Sequence, residues 1–87
     1  MTLLEQVTAI FGDTAKIQAF GVDHVEVRLH TGDTHTFIKA GGEYQHCIYL
    51  LNWYVPVWRS PMLPTAREAF EHNRARLLAL TVRGCGP

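Results

Sequence analysis

HVEVRLHTGDTHTFIK, residues 24–39, alternates apolar and polar side chains on both sides of Gly32-Asp33, a dipeptide suited to a two-residue hairpin turn. With Gly32 and Asp33 as the turn, Thr31 faces Thr34, Leu29 faces Thr36, Val27 faces Ile38 and Val25 faces Ala40 on one side of the sheet. The other side pairs His30 with His35, Arg28 with Phe37 and Glu26 with Lys39. A threonine pair, a β-branched pair and an opposite-charge pair in one register favour it over its neighbours. An earlier strand at 16–20 joins through a three-residue turn, Gly21-Val22-Asp23, which sets Ile17 against Val27 and Ala19 against Val25.

Beyond the hairpin, Gly41-Gly42 signals a second tight turn and a fourth strand from Glu43. Tyr44, Cys47, Ile48, Leu51 and Val55 also fit a helical stripe, but Tyr, Ile, Trp and Val favour pleated structure and the glycines favour a hairpin. The strand reading is preferred. Pairing Lys39 with Glu43 and Ile38 with Tyr44 makes better chemical sense than pairing across the two glycines alone. Residues 55–64 hold three prolines and read as an irregular or extended connection.

Helices bracket the strands. Thr2-Leu3-Leu4-Glu5 is a capping box that opens a helix at 3–11, with Gly12 as its stop and Leu3, Leu4, Val7, Ile10 and Phe11 on one face. Thr65 and Glu68 repeat the box ahead of a helix that runs to about Val82 before Gly84. Its apolar stripe is Ala66, Ala69, Phe70, Leu77 and Leu80, interrupted by Asn73, while Arg67, Glu71 and Arg74 share the solvent side. The fold class is α+β: one domain over 1–87, with an N-terminal helix, an antiparallel three- to four-stranded meander and a C-terminal helix. Both helices are expected on the face built by Ile17, Val25, Val27, Leu29 and Ile38.

Composition narrows the function classes. Eight basic and eight acidic side chains cancel, which argues against broad electrostatic attraction to nucleic acids or anionic membranes, although residues 65–87 carry four Arg against Glu68 and Glu71 and are mildly basic. Two cysteines, Cys47 and Cys85, are too few for a disulfide framework and lack metal-ligand spacing, so they read as reduced thiols in a cytoplasmic protein. The N-terminus lacks the basic start and long apolar region of a signal peptide. Pro56 interrupts the other apolar run, itself shorter than the roughly 20 residues that span a bilayer.

Three sites for chemistry come under consideration. His30 and His35 would approach across the first hairpin, but two ligands fall short of the three or four that a protein-bound metal needs. Cys47 has a neighbour, His46, that points to the opposite side of a strand and cannot serve it as a base. No phosphate loop, nucleophile elbow or zinc-protease motif is present. The expectation is a protein without catalytic, cofactor or metal residues.

Aromatic side chains carry the remaining signal. The uncharged run 44–58 holds Tyr44, Tyr49, Trp53, Tyr54 and Trp58, five of the nine aromatics in the chain and more than a small core absorbs. Trp53, Tyr54, Trp58 and Arg59, with Phe20, Phe37 and Arg28 on the outer sheet face, form the expected partner-binding set. The resulting reading is an accessory or inhibitory protein-protein interaction module, acting as a homodimer. The alternative is a single-stranded nucleic-acid binder that stacks bases on Phe20 and Phe37 beside Arg28 and Lys39.

Overall fold

The computed structural model describes the backbone of residues 1–13, 15–50 and 56–85, and the side chains of residues 1–13, 15–50 and 56–75. In chain order the elements are α1 (Leu3–Phe11), β1 (Lys16–Ala19), β2 (His24–Arg28), β3 (Thr34–Ala40), β4 (Glu43–Tyr49), β5 (Trp58–Arg59) and α2 (Ala66–Cys85). The strands form one antiparallel sheet in the order β1-β2-β3-β4-β5, with α1 and α2 packed on the same face. This is the α+β class, with a two-residue fifth strand inside the stretch that the prolines marked as an irregular or extended connection.

Local signals are realised at the ends of the chain. In α1 the Glu5 amide donates to Thr2 Oγ1 (3.1 Å) and the Thr2 amide donates to Glu5 Oε1 (3.0 Å), which completes the capping box. Leu3 and Val7 are buried and Ile10 and Phe11 pack at the core margin, while Leu4, placed on the same face by periodicity, is exposed. The Glu68 amide donates to Thr65 Oγ1 (3.1 Å) at the start of α2, and the helix continues through Gly84 to Cys85. Ala66 and Ala69 are buried and Phe70 is half-buried. Leu77, Leu80 and Cys85 carry side chains outside the described set.

Strand pairing agrees with the sequence at β1 and departs from it at β3. Ile17 faces Val27 and Ala19 faces Val25, as the three-residue turn requires. Between β2 and β3, however, Arg28 pairs with Thr34, Val27 with His35 and Val25 with Phe37. The connection is the five-residue loop Leu29–Asp33, closed by Leu29 N–H to Asp33 O (3.0 Å) and Gly32 N–H to Leu29 O (2.9 Å). The expected pairs Val27–Ile38, Arg28–Phe37 and Glu26–Lys39 are therefore displaced by three residues. Because the side-chain period is two, an odd displacement exchanges the faces of β3. Phe37 enters the core with 0% exposure and Ile38 turns outward with 38%.

The second hairpin supplies the reason. Gly41 and Gly42 both have positive φ (59° and 78°), as a two-residue turn of the primed type demands, and the strands pair directly across them. Ala40 thus faces Glu43, Lys39 faces Tyr44, Phe37 faces His46 and His35 faces Ile48, correcting the expected Lys39–Glu43 and Ile38–Tyr44 pairs. Tyr44 and Ile48 must turn inward to be buried, and they carry Phe37 and His35 with them. A cross-strand charge pair such as Glu26–Lys39 is worth about 0.2–1 kcal/mol, whereas burying a phenylalanine is worth about 1.5–3 kcal/mol. Burial outweighs the pairing preference.

The resulting core comprises Leu3, Val7, Val25, Val27, Phe37, Tyr44 and Ala66, with Ile17 and Leu29 at its margin. Gln6 links three elements through it: its Nε2 donates to Tyr44 Oη (3.0 Å) and its Oε1 accepts from the Ala66 amide (3.2 Å). Among the described residues no helix is long and apolar enough to cross a membrane.

Candidate functional site

Beneath α2 lies a chain of buried polar side chains. His35 on β3 and His46 on β4 belong to adjacent strands, their Cα positions offset along the ladder, and their rings stack with centroids 4.9 Å apart. His35 Nδ1 lies 2.8 Å from His46 Nε2, and His46 Nδ1 lies 2.8 Å from Asn73 Nδ2 on α2. Asn73 Nδ2 also donates to the His46 carbonyl (2.9 Å). From β5 and the residue after it, Ser60 holds the same backbone: the His46 amide donates to Ser60 Oγ (2.9 Å) and the Ser60 amide donates to His46 O (2.8 Å). Ser60 Oγ in turn donates to Pro61 O (2.9 Å).

These contacts assign every proton along the chain. The His46 carbonyl only accepts, so the Asn73 atom facing it is the amide nitrogen, and that nitrogen's second hydrogen points to His46 Nδ1. His46 Nδ1 is then the acceptor and Nε2 carries the hydrogen, which it donates to His35 Nδ1. Both imidazoles must be neutral for the chain to hold. Burial pushes His46 down to about 3, with the neighbouring His35 acting in the same direction. Burial likewise lowers His35, partly offset by the charge of Asp33. Asn73 Oδ1 is buried and finds no hydrogen-bond partner among the described residues.

Aromatic rings enclose this chain. Phe11 meets His35 edge-on at 5.3 Å, Phe37 lies 4.7 Å from the His46 ring, and Phe70 meets His46 at 5.3 Å. The apolar wall accounts for the lowered proton affinity, since an imidazolium there would lose its hydration. The site is closed, and its chemistry is donation and acceptance along a fixed line.

Of the residues expected to bind a partner, those that are described stand at separate places in the fold. Phe37 is in the core, so it leaves the outer face and the stacking platform assigned to it. Phe20 is 46% exposed beside His24, with ring centroids 5.5 Å apart. Arg28 is exposed at the far end of β2, and Arg59 is exposed on β5, three strands away. Trp58 is half-buried. Trp53 and Tyr54 lie outside the described residues. His30 sits exposed in the β2–β3 loop while His35 is buried opposite Val27, so the two do not face each other. Cys47 and His46 are both buried on opposite sides of β4, and His46 turns to Asn73 instead.

A different exposed cluster takes shape at the end of the sheet that carries the β1–β2 turn. Phe20 and Ile38 stand on the outer face on either side of His24, and Val22 projects from the turn with 89% exposure. Around the corner, Met1, Leu4 and Val22 border a groove of about 780 Å³ that Lys39 and Asp23 also line. Periodicity could have flagged Val22, an apolar residue at a turn tip, but Leu4 and Ile38 were hidden by their places in apolar patterns. No family model matches the chain, and no curated protein or solved structure shows significant similarity to it.

Proposed function

We propose that this protein is a non-catalytic protein-protein interaction module that self-associates as a homodimer through the sheet end bearing Phe20, Val22 and Ile38. The observation that carries this reading is the grouping of those exposed apolar side chains next to β1, the edge strand of the sheet among the described residues. In β1 the Phe20 amide donates inward to His24 O (2.8 Å), which sets the phase of the ladder and leaves the backbone groups of Ile17 and Ala19 pointing away from β2. A second copy of β1 satisfies those groups and covers Phe20 in the same step. The opposite edge, β5, is two residues long, so pairing through β1 closes as a two-fold dimer instead of extending. Balanced charge adds no repulsion between copies. An accessory or inhibitory role toward a larger protein in the cytoplasm belongs to the same reading, with Trp58 and Arg59 as a second contact region.

Light scattering on the eluting protein tests it. The expected mass is twice the 9.8 kDa of one chain at micromolar concentration, falling to one chain in a Phe20→Ser, Val22→Ser double variant. A single-chain mass for the unaltered protein across that range overturns the reading. The nucleic-acid alternative retains Phe20 and Arg28 on the outer face but loses Phe37. Retention of single-stranded RNA at low salt that disappears in Arg28→Ala would favour it.

A further inference from the structure

We propose that the His35–His46–Asn73 chain is a proton-operated latch, which holds the first half of α2 on the sheet while both imidazoles are neutral and releases it when they take up protons. The geometry leaves protonation no way to be absorbed. A proton on His46 Nδ1 sets an N–H against the amide hydrogens of Asn73, and a proton on His35 Nδ1 sets an N–H against the hydrogen on His46 Nε2. Turning the Asn73 amide over would present Oδ1 to a protonated Nδ1, but it would also place that oxygen 2.9 Å from the His46 carbonyl. Two acceptors would then face each other.

Other ties on the described part of α2 are few: the Ala66 amide donates to Gln6 Oε1 (3.2 Å) at its first residue, and the Phe70 ring packs edge-on against Phe11 at 5.3 Å. Within residues 66–75 the buried side chains are Ala66, Ala69 and Asn73, and the half-buried Phe70 ring and Asn73 contact the histidines of the sheet. Their charged side chains, Arg67, Glu68, Glu71 and Arg74, are turned to solvent or paired among themselves, with Glu71 contacted by Arg67 (3.8 Å) and Arg74 (3.4 Å). Around the imidazoles, α1 contributes Phe11, β2 contributes Val27, β3 contributes Phe37, α2 contributes Phe70 and Asn73, and the residue just after β5 contributes Ser60. Among the described residues the one charged group that acts on them is Asp33, which favours a proton on His35. Once α2 lifts, both rings regain water and return toward the ordinary value of 6.5. His46 then favours the lifted state by about tenfold per pH unit below that value, so two units give roughly 10²-fold, and His35 adds to it in the same direction.

Amide hydrogen exchange read by mass spectrometry on the full chain, at about pH 7.5 and about pH 4.5 and corrected for intrinsic rates, tests the latch. The expected result is that amides 66–75 lose protection by at least about 10²-fold at the lower pH while β2 and β3 keep theirs. A variant carrying His24→Gln, His30→Gln and His72→Gln, which removes the other three of the five histidines from positions that do not touch the chain, should behave identically. Loss of protection in α2, β2 and β3 together, unchanged protection of α2, or disappearance of the effect in the triple variant would each overturn the proposal.

Discussion

Replacing Phe37 by Ala measures the face exchange in β3 directly. Phe37 is fully buried, with Val25 opposite it, the Phe11 ring at 6.1 Å and the His46 ring at 4.7 Å, so truncation opens a cavity that these rings cannot readily close. Losses for such truncations run about 3–5 kcal/mol. An 87-residue chain at 0.05–0.15 kcal/mol per residue has a total of roughly 4–13 kcal/mol, so the variant approaches its unfolding limit. Ile38, one residue on, is 38% exposed, and its truncation removes about three methyl or methylene groups that are only partly buried and leaves no enclosed void. At about 0.8 kcal/mol per fully buried group, the cost is roughly 1–1.5 kcal/mol. Urea unfolding followed by tryptophan fluorescence reads both: with a slope near 1 kcal/mol/M, the midpoint should fall by roughly 3–5 M for Phe37→Ala and by about 1–1.5 M for Ile38→Ala. Phe37→Leu provides an intermediate value should the alanine variant be unfolded throughout. An Ile38→Ala loss equal to or larger than that of the Phe37 variants would refute the register and restore Val27–Ile38 pairing.

Stability should be full above about pH 6.5 and should fall as the solution is acidified, because the unfolded chain binds protons on His46 and His35 that the folded chain refuses. His46, lowered to about 3 in the fold, contributes a slope of ~1.4 kcal/mol per pH unit through that window, and His35 adds to it with the same sign. Urea midpoints that stay flat between pH 7 and pH 4.5 would contradict the lowered proton affinities. Ser60→Ala should cost about 1–3 kcal/mol in the same titration, since the buried His46 amide loses its hydroxyl acceptor and water cannot replace it. A variant as stable as the parent would show that this hydrogen bond carries no weight.

Several local signals in the sequence carried through to the fold, although the equally local Gly32-Asp33 turn gave way to the five-residue loop Leu29–Asp33 and Gly84 did not stop α2. The Thr2–Glu5 capping box, the three-residue turn that sets Ile17 on Val27, and the turn at Gly41-Gly42 each depend on residues a few positions apart and are realised, the last with Lys39 facing Tyr44 and not the expected Glu43. The latch was present in the sequence only as an anomaly, Asn73 in the middle of an apolar stripe. Its partner His46 is 27 positions away, beyond the reach of any periodicity.

Residues 34–40 mark the boundary. In THTFIKA one alternation offers His35 and Phe37 and the other offers Thr36 and Ile38, two sets of nearly equal apolar character, so period-2 reading has nothing with which to choose. Sequence alone determined the two helices, the succession of the first four antiparallel strands and the α+β class, but not the short β5. Tertiary structure decided which side of β3 faces inward, and through it the burial of the histidines. The physical reason is that a ring as large as Phe37 is stabilised by the surfaces that close over it, here Phe11 from α1 and His46 from β4, and those surfaces exist only once the chain has folded.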